Sequence, residues 1–162
     1  MSEKVTYVFE REFQADVQSV WQAMTTPEKL AHWYGPGVET HIHKFDLEVG
    51  GLWLNEMRWG EKSDYSKMEF RELQSPTTLE WRQSSTDKDW NDQPSQMMEN
   101  WPQFFIVRIE LTDKEGVTAL RLSMRPDQAT KAELACFEAA MSNMDNGWGA
   151  GFKLLAEMVE SS

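Results

Sequence analysis

One cysteine and three histidines stand among 162 residues, and that scarcity removes whole classes of chemistry. Cys136 alone cannot close an intramolecular disulfide or build a cysteine-based zinc site. Its neighbours Ala135, Phe137 and Ala139 mark it as a small apolar packing residue. His32, His41 and His43 form no helical ligand pair with an acid, so no metal motif is written in the chain. No glycine-rich phosphate loop follows a strand, and no serine nucleophile elbow occurs. No apolar run approaches bilayer length, and Met1-Ser2-Glu3-Lys4 does not open a signal peptide, so the cytoplasm is the expected location. Basic side chains are also few, 16 against 27 acidic ones, for a net charge of −11. A field of that sign repels phosphate backbones and anionic membranes, so neither nucleic acid nor membrane is an expected partner.

Tryptophan and methionine, by contrast, are abundant, with eight and ten copies. Large aromatics fill cores, and they also line cavities for apolar ligands. Composition leaves both open. With 40% hydrophobic and 27% charged residues, the chain is expected to form a single globular domain over 1–162, with its core between about residues 5 and 160.

Periodicity gives the order of elements. Val5 to Phe13 alternates as a strand. Asp16 caps an amphipathic helix carrying Val17, Val20, Trp21 and Met24, and Thr26 caps a second that has Pro27 in its first turn. Strands are predicted at His41–Leu47 and Leu52–Trp59 around Gly50-Gly51, then at Ser66–Leu73, Thr78–Ser84, Gln103–Thr112 and Val117–Met124. The polar stretch from Ser85 to Pro102 still holds Trp90, Met97, Met98 and Trp101, the composition of a binding loop or lid. A final helix from about Thr130 to Glu160 carries Phe137, Met141, Met144, Trp148, Phe152, Leu155 and Val159 on one face, with a break expected near Asp145-Asn146-Gly147 or at Gly149 and Gly151. Strands in sequence followed by one long helix predict an α+β fold, a curved antiparallel sheet wrapped around that helix.

The segment Ala15-Asp16-Val17-Gln18-Ser19-Val20-Trp21-Gln22-Ala23-Met24-Thr25-Thr26-Pro27-Glu28-Lys29-Leu30 resembles the opening of the activator of heat-shock-protein-90 ATPase-like proteins. Trp33-Tyr34-Gly35-Pro36, the hairpin Asp46 to Trp53, Phe70-Arg71-Glu72-Leu73-Gln74-Ser75-Pro76 and Gly147-Trp148 with Leu155 are similar to further elements of that family, in order along nearly the whole chain. Glu48 stands where the family more often has arginine. Met68 replaces a commonly small residue, and Phe152 a polar or aliphatic one. The resemblance implies a helix-grip fold of the START/Bet v 1-like superfamily, with about six or seven strands, two short helices after the first strand, and a cavity under the C-terminal helix. The superfamily includes lipid carriers, hormone receptors and polyketide cyclases, so the resemblance implies the fold more than an activity. A chaperone partner is not the expectation, because that activity needs a separate client-binding N-terminal domain.

Few polar residues could serve chemistry. A turn at Val49-Gly50 would place His43 opposite Glu56 and His41 opposite Arg58, either as a plain surface pair or as acid–base equipment. The same register puts Trp53, Asn55, Met57, Ile42 and Asp46 on the other, more apolar face. That face is the expected cavity wall, with Asp46 as its polar group, although an altered turn would reverse the assignment. Glu69, Arg71, Glu80 and Arg82 read as a charged solvent face. The expectation is a domain that binds an apolar or aromatic small molecule, walled by Trp33, Trp53, Met57, Trp81, Phe105, Met141, Met144, Trp148 and Phe152. No catalytic residue, metal or cofactor is assigned, and the reading leans away from an enzyme. The alternatives are a cyclase- or hydrolase-type enzyme using Asp46, His41, His43, Glu56 and Arg58, and a protein-interaction domain with a filled core. A monomer or weak homodimer is expected.

Overall fold

A computed structural model describes residues 5–95 and 98–160. The elements run β1 (Tyr7–Phe13), α1 (Val17–Thr25), α2 (Pro27–Trp33), β2 (Glu39–Phe45), β3 (Leu52–Trp59), β4 (Lys62–Gln74), β5 (Thr78–Thr86), β6 (Phe104–Lys114), β7 (Val117–Asp127) and α3 (Lys131–Glu160). The seven strands form one open antiparallel sheet in the order β1-β7-β6-β5-β4-β3-β2. This is the α+β helix-grip arrangement anticipated from the sequence, with the helices against the concave side.

Local chemistry explains the helix starts. The Asp16 carboxylate accepts a hydrogen bond from the Ser19 amide at 2.8 Å, satisfying an otherwise orphaned donor at the start of α1. Thr26 occupies the cap position of α2 but makes no side-chain capping bond, contrary to expectation; Pro27 sets the backbone entry instead. At α3, Thr130 and Glu133 bond each other's backbone amides at 3.0 and 3.1 Å, a reciprocal capping box.

The expected break in α3 does not occur, and the helix is continuous through Gly147, Gly149 and Gly151. Gly151 has a packing reason: a Cβ there would stand 3.0 Å from the Trp33 carbonyl oxygen, so the missing side chain lets α2 approach α3 closely. The C-terminal half of α3 buries Phe152, Leu155, Ala156 and Val159 in the core. Phe152 stacks on Phe9 at 5.6 Å and on Trp33 at 5.3 Å. Farther up the helix, the Tyr7 hydroxyl donates to Asp145 at 2.6 Å, tying β1 to α3.

The β2–β3 hairpin differs from the expected register. Its turn spans residues 46–51, where Gly50 and Gly51 exchange backbone hydrogen bonds with Phe70 of β4 instead of forming a tight two-residue turn. A bulge at His43 shifts the pairing, so His41 opposes Glu56, Ile42 opposes Asn55 and Phe45 opposes Trp53. Phe45 therefore turns inward against Trp53 and Phe70. Asp46, expected inside, is exposed and pairs with Lys44 at 3.5 Å.

Candidate functional site

Seven apolar residues of α3 share one stripe, yet they are not equally covered. Phe137, Phe152, Leu155 and Val159 are buried, whereas Met141, Met144 and Trp148 between them are only half-buried. A filled core would cover the middle of the stripe at least as well as its ends. Beneath that middle lies a cavity of about 360 Å³ between α3 and the concave face of the sheet. Such a size is near the lower end of the range for small-molecule sites.

The walls come from distant parts of the chain. Trp33, Tyr34, Gly35 and Pro36 enter from the end of α2 and the turn after it, and Met57, Ser66, Gln83, Phe105 and Met124 rise from the sheet. Met144, Gly147, Trp148 and Gly151 form the helix side, Trp101 closes one end, and Asn143 lies exposed where the cavity meets solvent. Phe105, Trp101 and Phe137 make a ring cluster with centroid separations of 5.4 to 5.8 Å at that end. At the other end, Tyr34 packs edge-on against Trp53 at 4.9 Å and Trp148 at 6.1 Å. The loop after β5 thus contributes Trp101 to the wall, as its composition suggested; Met97 lies outside the described residues.

Of the expected wall residues, Trp33, Met57, Phe105, Met144 and Trp148 line the cavity. Trp53, Trp81 and Phe152 do not: they are fully buried in the layer behind it and support the residues that do. Met141 packs against the edge of the core without reaching the cavity. Asp46 is absent from the wall for the reason given by the turn.

The acid that does line the cavity is Asp64, opposite Met57 in the β3–β4 ladder. Among the described residues it is the sole formally charged one of the lining. Burial raises its pKa above the ordinary 3.8. The Tyr34 phenol is also raised, first by burial and then by the negative charge of Asp64, which makes the two groups electrostatic neighbours. Neither the Asp64 carboxylate nor the Tyr34 hydroxyl has a hydrogen-bond or ion-pair partner among the described residues. Nearby, the Gln83 side-chain oxygen accepts from the Trp81 indole at 3.2 Å.

His43 and Glu56 do meet, at 2.8 Å, but on the outer face of the sheet. Glu56, its side chain only 5% exposed, also accepts from Arg58 at 2.8 Å and from Ser63 at 2.7 Å. These bonds, that from Arg58 foremost, hold its pKa down to about 2. His41 turns to Glu39 of its own strand at 2.6 Å and not to Arg58. Arg71 and Arg82 lie on the same outer side, with Arg82 bonded to Asp127 at 2.8 Å. None of Asp46, His41, His43, Glu56 and Arg58 lines the cavity, so the acid–base group weighed for the enzyme alternative does not converge there. Among the described residues, no group of three or more His, Cys, Asp or Glu is placed to hold a metal ion, and no helix is long and apolar enough to cross a membrane.

A curved sheet, a gripping helix and a half-open apolar cavity between them define a Bet v 1-like helix-grip domain. More specifically, the sequence pattern of Activator of Hsp90 ATPase homolog 1-like protein matches residues 14–160, so the chain belongs to that family. Solved structures agree on the fold. A protein from Arthrobacter aurescens superposes with a TM-score of 0.81 at 18% identity, covering 100% of this chain and 90% of that one. Ms6760 from Mycobacterium smegmatis gives 0.79 at 17% identity, covering 98% and 93%. CV1439 from Chromobacterium violaceum gives 0.74 at 20% identity, covering 97% and 98%. No curated protein matches by sequence.

Proposed function

We propose that the protein is a binding domain for an apolar or aromatic small molecule held between the sheet and α3. The observation that carries this reading is the half-buried centre of the α3 stripe, Met144 and Trp148, standing over a cavity of about 360 Å³ instead of a filled core. Methionine suits such a wall because its flexible, polarizable side chain adapts to irregular shapes. Trp33, Trp101, Phe105 and Trp148 supply flat apolar surface at small entropic cost. The fold family supports a ligand-binding domain in general and leaves the ligand to this chain's own lining.

The test is a titration with a neutral solvatochromic dye, following dye emission, tryptophan quenching and melting temperature together. Saturable binding is expected, with quenching through Trp33, Trp101 and Trp148. At a hundredfold excess over Kd, the native state should gain about 2.7 kcal/mol by mass action. If dyes and fatty acids of several sizes neither quench the fluorescence nor raise the melting temperature, the reading is wrong.

A further inference from the structure

The cavity combines two features that a site for a purely apolar ligand does not need. One is a carboxylate, Asp64, on an inward-facing position of β4 with no hydrogen-bond or ion-pair partner among the described residues. The other is the concentration of aromatic rings in the same lining: Trp33, Tyr34, Trp101, Phe105 and Trp148 all belong to it. Among the described residues, no lysine, arginine or histidine lines the cavity to neutralise the acid.

Each feature has its own consequence for a ligand. A carboxylate partly removed from water without a partner, as Asp64 is, is destabilising, and a ligand that brings a cationic donor offsets that penalty on binding. Ring faces carry negative electrostatic potential and attract a desolvated cation within about 6 Å of the centroid. The same rings hold apolar surface, so they suit a cation carried on an apolar body. The chain's net charge of −11 adds a long-range field that favours cations over anions at the mouth. An anionic ligand such as a fatty acid would meet Asp64 with like charge, and the lining holds no cation to offset it.

We propose that the cavity selects small amphipathic amines, with the protonated amine paired to Asp64 and the apolar body against the tryptophan wall. The Tyr34 hydroxyl and Ser66, which share the wall, are available to orient the same head group. This rests on the cavity-binding reading above, but it fails or succeeds separately. A neutral dye reports whether the cavity binds at all; the charge preference reports whether Asp64 chooses the ligand.

The experiment compares 2-phenylethylamine, its neutral counterpart 2-phenylethanol and the anion 3-phenylpropanoate, each displacing the neutral dye from the protein at neutral pH. The amine is expected to bind at least tenfold more tightly than the alcohol, and the propanoate more weakly than both. In Asp64→Asn the amine-to-alcohol preference should shrink to within about threefold. Glu61→Gln, an exposed change in the turn between β3 and β4, alters the net charge by the same amount and should leave the preference unchanged. Equal affinities for amine and alcohol in the unaltered protein would overturn the proposal even if the dye binds. An equal loss of preference in both variants would also overturn it, because it would assign the effect to the overall field and not to Asp64.

Discussion

A carboxylate inside an aromatic wall is destabilising unless something pairs with it. Asp64 is half-buried in such a wall with no partner among the described residues, and that burial raises its pKa. A group whose folded pKa is raised contributes stability that is fully present below its unfolded value and lost as pH rises through the folded value. For Asp64, the penalty therefore grows upward from its ordinary 3.8. Tyr34 is the titratable group coupled to it, and it stays neutral throughout that window. Asp64→Asn is thus expected to melt higher than the unaltered protein at pH 7. The difference should vanish near pH 3, as thermal melts across pH would record. A lower melting temperature at pH 7 would mean that Asp64 has a stabilising partner. Glu56 is the contrasting case: more deeply buried than Asp64, but satisfied by Arg58, Ser63 and His43, it is held in its charged form.

Among the elements, α3 does two jobs with one stripe. Its C-terminal half packs into the core through Phe152, which no solvent reaches and which stacks with Phe9, Trp33 and Trp148. Its middle spans the cavity. Phe152→Ala should therefore cost about 3–5 kcal/mol in urea denaturation. Met144→Ala should cost ~1 kcal/mol or less, because that side chain already borders open space and little apolar burial is lost. Similar losses at both positions would mean that the middle of the helix is packed like its end.

Much of this architecture was legible from the chain. Alternation in β1 and β5 to β7, the turns at Ser75-Pro76 and Asp113 to Gly116, and the four-three spacing of α3 suffice for a sheet around a helix. The wall was half legible. Trp33, Met57 and Trp148 are apolar at periodic positions, but spacing alone does not separate the residue facing a void from the one filling the layer behind it, as with Trp53 and Trp81. Asp64 and Ser66 were missed as wall residues for a different reason. Polar side chains on the inner face hide the alternation that marks a strand, so the predicted strand begins only at Ser66, although β4 starts at Lys62. The misplacement of Asp46 arose from contacts distant in sequence, since the hydrogen bonds of Gly50 and Gly51 to Phe70 set the turn.

The whole molecule separates its charge from its cavity. Ion pairs such as Arg58–Glu56, Arg82–Asp127 and Arg108–Glu72 occupy the outer face of the sheet, whereas the cavity lining, among the described residues, keeps one acid among rings and methionines. The fold itself persists in solved structures at 17–20% identity, so the overall frame tolerates wide sequence change, and the proposed binding rests on the side chains that line this cavity. The most direct test of that claim is an NMR titration of protein labelled at the methionine methyls with the neutral apolar dye. Met57, Met124 and Met144 line the cavity, while Met24 and Met68 are buried and do not line it. The account predicts saturable shifts and direct dye contacts at the first three, with Met24 and Met68 nearly unchanged. Dye contacts confined to other methyls, or no saturable change at Met57, Met124 and Met144, would contradict it.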